Sequence, residues 1–238
     1  MTVSLLSPEE QSDIERWLDS DDPSRTAPLS AGYQGAVYLY EGPNGRRIVK
    51  EPADKGLASL IAPRMLRREA KAYAAVNGIA GIPQSFGMLR NRYLVLEFIE
   101  GVGLREPGNG IQDRDRFFAA LLDIIKAVHS RNVSHNDLKR KDNILVDPDG
   151  KPVLLDFGMA VVHRRQGFWF RLLQRMDYNA WIKIKYHYAI DTITPEDLPY
   201  YRPTLLERGF RSLRKFWRTI TFRQWRNARK ERKEQKNA

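Results

Sequence analysis

The sequence contains no cysteine. That excludes disulfide staples, thiolate metal sites and a cysteine nucleophile, and it is compatible with a reducing cytosol. Long apolar runs are missing too. No window approaches the ~18–20 apolar residues of a membrane span. The opening stretch MTVSLLSPEEQSDIERW has neither a basic start nor an apolar core behind it, so no signal peptide is expected there. Acidic residues are scarce at one end only. From Arg202 to Ala238 thirteen Lys or Arg stand against three Glu, a net of +10 out of a total of +11. The first 201 residues are therefore almost neutral, at about +1. A basic body would point to nucleic acid, which is not expected as a partner here. A basic tail on a neutral body points to a surface anchor or docking arm.

What is there is a chain of 238 residues, 42% hydrophobic, enough for one sizeable core or two small lobes sharing a cleft. Ser7-Pro8-Glu9-Glu10 predicts a helix start: a Ser cap, Pro in the first turn and acids at the positive end. Ile14, Trp17 and Leu18 then share a face. Ala36–Tyr40 and Arg46–Lys50 flank a Gly-Pro-Asn-Gly turn and predict a hairpin. Ala62–Val76 is Ala-rich and reads as a helix, and Tyr93–Ile99 as an apolar strand. Phe117, Phe118, Leu121, Leu122, Ile125 and Val128 recur at a helical period over Arg114–His129. Ile144–Val146 and Val153–Leu155 flank Asp147-Pro148-Asp149-Gly150, a second tight hairpin. After Gly158 the chain reads as helical, apart from the Pro-rich stretch 194–203. Strands lead and helices follow, so the expected fold class is α+β with two lobes joined near Glu97–Gly103. The expected division is a helical extension at 1–22, a β-rich small lobe at 23–100, a shortened helical lobe at 101–201 and a basic amphipathic tail at 202–238.

Several residues carry chemistry only as a set. Gly32 and Gly35, with Val37 just after, sit on the turn entering the first hairpin, where backbone N–H groups can approach an anion. Alone, this is also how an ordinary glycine-containing hairpin looks. Lys50 ends the second strand and could be simply solvated. Glu69, among Arg67, Arg68 and Lys71, could be one more surface charge. Together Lys50 and Glu69 could form a pair that aims an ammonium at a phosphate. Asp156-Phe157-Gly158 places an Asp at a strand end, as a hard-metal ligand or a turn residue. His135-Asn136-Asp137 and Asn143 enclose Lys139, Arg140 and Lys141 in the stretch HNDLKRKDNILV.

This ordered set resembles the phosphoryl-transfer kit of the protein-kinase-like superfamily, over roughly Ser30 to Ala160. More narrowly it is similar to the small bacterial RIO-like kinases and the lipopolysaccharide-core (Kdo, heptose) kinases. The resemblance implies a bilobal kinase-like fold with ATP and Mg²⁺ between the lobes. It implies that Lys50 holds the α- and β-phosphates and pairs with Glu69. Leu96 would be the gatekeeper, with Glu97–Ile99 as the hinge whose backbone reads adenine. Asp137 would orient and deprotonate the acceptor hydroxyl, Lys139 would touch the γ-phosphate, and Asn143 and Asp156 would hold the metal. Such a kit supplies what the reaction needs: cations on phosphate oxygens and an aligned hydroxyl.

The sequence departs from the usual pattern in places. Ser30 replaces the first loop glycine and Asn136 replaces an Arg. Asn143 lies six positions after Asp137, not five, which leaves Asp142 as a competing metal ligand, although Asn143 is the better match by its Ile-Leu-Val flank. No Ser or Thr occurs from Phe157 to Ile190, and no Ala-Pro-Glu follows. The implied activity is a kinase, a transferase whose acceptor is most readily a sugar of lipopolysaccharide or a related membrane glycolipid. A RIO-like serine/threonine protein kinase and a pseudokinase scaffold are the alternatives. Leu206, Phe210, Leu213, Trp217 and Ile220 give the tail an apolar stripe rimmed by Arg. It reads either as an interfacial helix on an anionic membrane or as a helix packed on the second lobe. The expected location is the cytoplasm, with a peripheral place on the inner face of the membrane open through that tail.

Overall fold

The computed structural model describes residues 5–32 and 35–202. The tail expected from residue 202 therefore lies, from 203 onward, outside the described residues.

Ser7 accepts a hydrogen bond from the Glu10 amide and starts helix α1 (Pro8–Leu18). A single turn, α2 (Pro23–Thr26), follows. The small lobe is a five-stranded antiparallel sheet in the order β1-β2-β3-β5-β4. Its strands are β1 (Ser30–Gly32), β2 (Gly35–Gly42), β3 (Gly45–Pro52), β4 (Ser85–Leu89) and β5 (Tyr93–Glu97). Side chains on a strand alternate between faces. Val49 and Val95, paired in register, therefore share one face, and Ile48 and Leu96, also paired, share the other. The first face packs with Tyr38 and Tyr40 onto Ile14, Trp17 and Leu18 of α1. An Arg47–Glu10 ion pair of 2.8 Å ties the helix to β3. The helix expected as an extension thus closes the outer face of the sheet.

The second face receives helix α3 (Ala62–Val76), whose Leu66, Ala70, Tyr73 and Val76 are buried. The loop after α3 reaches the second lobe. Gly81, at φ +83°, hydrogen-bonds through its carbonyl to the Leu154 amide, and a side chain there would collide with Ile124. Chain direction changes after Glu97, and a short β6 (Val102–Gly103) enters the second lobe. Helix α4 (Arg114–Ser130) buries the apolar stripe legible in the sequence. Then come β7 (Val133–Ser134), β8 (Ile144–Val146), β9 (Pro152–Leu154), β10 (Val161–Val162) and helix α5 (Phe168–Lys185). The stretch after Gly158 is less helical than expected. It contains β10, paired with β7, and ends in two short 3-10 turns.

Among the described residues no helix is long and apolar enough to cross a membrane.

Candidate active site

Register places the first charges. Val37 lies opposite Lys50 across β2 and β3, and Lys50 lies opposite Leu94 across β3 and β5. Lys50 lies on the central strand, and its side chain projects from the face that α3 covers, where its Nζ meets Glu69 Oε1 at 2.5 Å. Glu69 is buried, not the surface charge its basic neighbours suggest. Burial works against the Lys50 ammonium. The charges of Glu69, Tyr73 and Asp156 outweigh it and hold the lysine above its ordinary range. Burial also pushes the Glu69 carboxyl up, with Lys50 opposing.

The β8–β9 hairpin brings the next residues together. Ile144 pairs with Leu154, and the Leu155 amide donates to the Asn143 carbonyl at 2.8 Å. Asn143 and Asp156 therefore stand side by side at the open end of the hairpin. Asp156 adopts φ +59°, its Oδ1 accepts from the Gly158 amide, and it lies 3.9 Å from Lys50 Nζ. Tyr73 Oη accepts from the Asp156 amide at 3.1 Å.

Asn143 Nδ2 donates to the Asp137 carbonyl at 3.0 Å and to Asp137 Oδ2 at 3.2 Å. The extra residue between these two is absorbed by consecutive tight turns. The Arg140 amide donates to the Asp137 carbonyl and the Asn143 amide to the Arg140 carbonyl. The two candidates differ in where they lie. Asn143 is buried against Asp137, while Asp142 is exposed and faces Arg105 at 3.6 Å. Lys139 is exposed and makes no ion pair among the described residues. The base beside Asp137 is Arg140, at 3.8 Å.

The loop is held from behind by residues the sequence did not flag. Asp177 of α5, buried, accepts from the His135 and Asn136 amides at 2.8 Å each, and from His129 Nε2 at 3.0 Å. His135 donates through Nε2 to the Leu155 carbonyl, and its Nδ1 accepts from the Asp137 amide. Phe157 is buried between Tyr73 and His135, with ring centroids 4.9 and 4.8 Å away. Asn136 sits at φ +66°, a conformation Asn tolerates better than most residues. Its amide reaches the Ser134 and Met159 carbonyls. It thus braces the loop where an Arg would have reached outward. The one sequence signal for Asp177 is an acid inside an otherwise apolar helical stripe.

The glycine turn is closed by the Gly32–Gly35 pair, and a side chain on Gly35 would strike the Glu51 carbonyl. Leu96 is buried beside Ile48. Glu97 accepts from the Gln84 amide, and with Ile99 it lines a groove of about 1030 Å³ against α4 and the β8–β9 turn. That groove contains none of Lys50, Glu69, Asp137, Asn143 or Asp156, and the chemistry belongs to the cluster instead.

The donor set suits a small hard cation: one carboxylate and one amide oxygen beside a lysine. Among the described residues no group of three or more His, Cys, Asp or Glu that could hold a metal ion is found.

Comparison with known proteins places this cluster in a family. Residues 32–180 match the protein kinase domain. The chain is 39% identical over 82 residues to serine/threonine-protein kinase D of Synechocystis, covering 32% of this chain and 16% of that one. It is 34% identical over 112 residues to serine/threonine-protein kinase chk1 of Schizosaccharomyces pombe, covering 44% and 22%. It is 29% identical over 164 residues to serine/threonine-protein kinase PknA of Nostoc, covering 58% and 28%. The chain thus spans less than a third of the length of these relatives. With its sheet-rich small lobe, its helical second lobe and a cleft that unites Lys50, Glu69, Asp137, Asn143 and Asp156, the chain belongs to the protein kinase domain family, whose cofactors are ATP and a divalent metal.

Proposed function

We propose that this chain is an ATP-dependent phosphotransferase that moves the γ-phosphate of Mg·ATP to a hydroxyl group, with a serine or threonine of a protein as the acceptor. The observation that carries the reading is the formed Lys50–Glu69 pair beside Asp156, facing Asp137 and Asn143. A kinase needs the lysine pair and the metal-binding Asp in place together.

In this reading Glu69 orients Lys50 toward the α- and β-phosphates. Asn143 and Asp156 hold Mg²⁺, which when bound neutralises charge on the β- and γ-phosphate oxygens. Asp137 orients the acceptor hydroxyl and takes its proton. Asn143, donating to Asp137, fixes where that carboxylate points. Lys139 and Arg140 put positive charge where the transferring group gathers negative charge. Gly32, Gly35 and Val37 cover the phosphates, and the backbone of Glu97 and Ile99 reads adenine past Leu96.

The named serine/threonine kinases favour a protein acceptor. A second reading, a lipopolysaccharide-type glycolipid sugar, has one observation in its favour. Only nine residues, 159–167, separate Gly158 from α5, which leaves little chain for docking a peptide.

The test is transfer of label from γ-labelled Mg·ATP offered with soluble proteins and membrane lipids together. Label in protein, lost in Asp137→Asn while ATP binding persists, is the expected result. Label in the glycolipid fraction selects the second reading. ATP binding without transfer to either makes the chain a pseudokinase scaffold.

A further inference from the structure

The site described above leaves an exposed aromatic surface without a role. Phe168 and Trp169 open α5 with 73% and 70% of their surface in solvent. Their rings meet edge to face at 5.4 Å. Met159 and Val162, on the segment leading into the helix, are exposed as well. Arg164, Arg165, Arg171 and Arg175 surround them, all exposed and without an ion pair among the described residues. No Asp or Glu occurs between Asp156 and Asp177. The exposure is not a fault of register, because the next residue, Phe170, is buried against His129 and His163. Ordering Phe170 inward forces the aromatic pair before it outward.

We propose that this face docks on an anionic lipid bilayer, with Phe168 and Trp169 at headgroup depth and the arginines on lipid phosphates. Protruding aromatics within a field of unpaired arginines are the composition of an interfacial anchor. Stable anchoring generally takes two signals, and this chain carries a second. Residues 203–238 hold twelve Lys or Arg against three Glu, with Phe210, Phe216, Trp217, Phe222 and Trp225 among them. Both signals start from one helix: Asn179 of α5 brackets the Arg202 backbone with two hydrogen bonds, ten residues or about 15 Å along from Trp169. The patch is also tied to the catalytic loop. β10 pairs with β7, and Asn136 donates to the Met159 carbonyl. Docking would therefore hold Asp137 beside the membrane surface, whether the acceptor is a protein or a lipid. The inference does not rest on the acceptor class.

The experiment is sedimentation of the full chain with phosphatidylglycerol vesicles and with phosphatidylcholine vesicles, at matched salt. Two variants are compared: Phe168→Ser with Trp169→Ser, and Arg164→Gln with Arg165→Gln and Arg171→Gln. These side chains are exposed, so unchanged thermal melts are expected and verify folding. The expected result is binding to the anionic vesicles alone, weakened by roughly tenfold or more in each variant. Absence of binding by the unaltered chain overturns the proposal. Undiminished binding in both variants overturns it too and assigns any membrane contact to the tail. Retained vesicle binding with reduced label transfer to soluble proteins would also overturn it, and would make the face a peptide-docking surface.

Discussion

Lys50 is a half-buried cation whose one close partner, Glu69, is buried. Its raised proton affinity means that its pair contributes stability that is fully present below the ordinary lysine value of 10.5 and lost only as pH rises through the raised value. The ammonium is therefore charged throughout the neutral range, as phosphate binding requires. Lys50→Met keeps most of the volume, and Glu69, already pushed up by burial, can take a proton. The expected outcome is transfer reduced roughly 100- to 1000-fold with a nearly unchanged melting temperature, read by label transfer and circular dichroism. Glu69→Ala is the harsher change. It strips the lysine of its 2.5 Å partner, and breaking such a pair costs about 3–5 kcal/mol. Denaturant unfolding of this variant should show the loss.

At the scale of elements, α5 is the post to which the catalytic loop is tied. Asp177 accepts three hydrogen bonds at one buried point. Asp177→Ala would leave two backbone donors and an imidazole unpaired, at about 1–3 kcal/mol for each unsatisfied group. The expected result is a drop in melting temperature together with reduced transfer, since the His135 and Asn136 amides then lose their anchor on α5. The β10–β7 junction holds a titratable group. His163 touches Ser134 at 3.0 Å, and burial holds its pKa below the usual 6.5. A histidine with a depressed folded pKa contributes stability that is present above 6.5 and lost as pH falls through the lower value. Melting temperature should therefore fall between pH 7.5 and 5.5, and His163→Gln should flatten that slope. Helix α1 is tested by Ile14, which is fully buried. Ile14→Ala should cost about 2–5 kcal/mol in denaturant unfolding, as expected of a helix that belongs to the small-lobe core.

For the whole molecule, one column of rings joins the lobes. Tyr73 comes from α3, Phe157 from the segment after β9, and His135 from the catalytic loop. Tyr73 also receives the Asp156 amide, so packing between lobes and placement of Asp156 are one event. Phe157→Ala should cost about 3–5 kcal/mol from the cavity alone. It should reduce transfer more than Phe157→Leu, which refills most of the space. Unfolding and label transfer on the two variants check this.

The order Gly32-Gly35, Lys50, Glu69, Asp137, Asn143, Asp156 was legible because phosphoryl transfer demands those side chains and the hairpins between them carry strong turn signals. The helices at Ala62–Val76 and Arg114–Ser130 were legible because their buried faces repeat at a helical period. Local pattern could not show that Glu69 is buried among basic neighbours, since only the approach of β3 to α3 removes it from water. The Ile-Leu-Val after Asn143 favoured it over Asp142 in the sequence, but only the two turns after Asp137 show that Asn143 is buried and Asp142 exposed. Asp177 acts across 42 residues of chain on the His135 amide, His129 across 48 on Asp177, and Tyr73 across 83 on the Asp156 amide. Sequence alone determined the kinase chemistry, because that chemistry is written in residue types and their order. Tertiary structure decided which charges are buried, which loop is braced and which aromatics remain in solvent, because those outcomes depend on contacts between segments that carry no local mark.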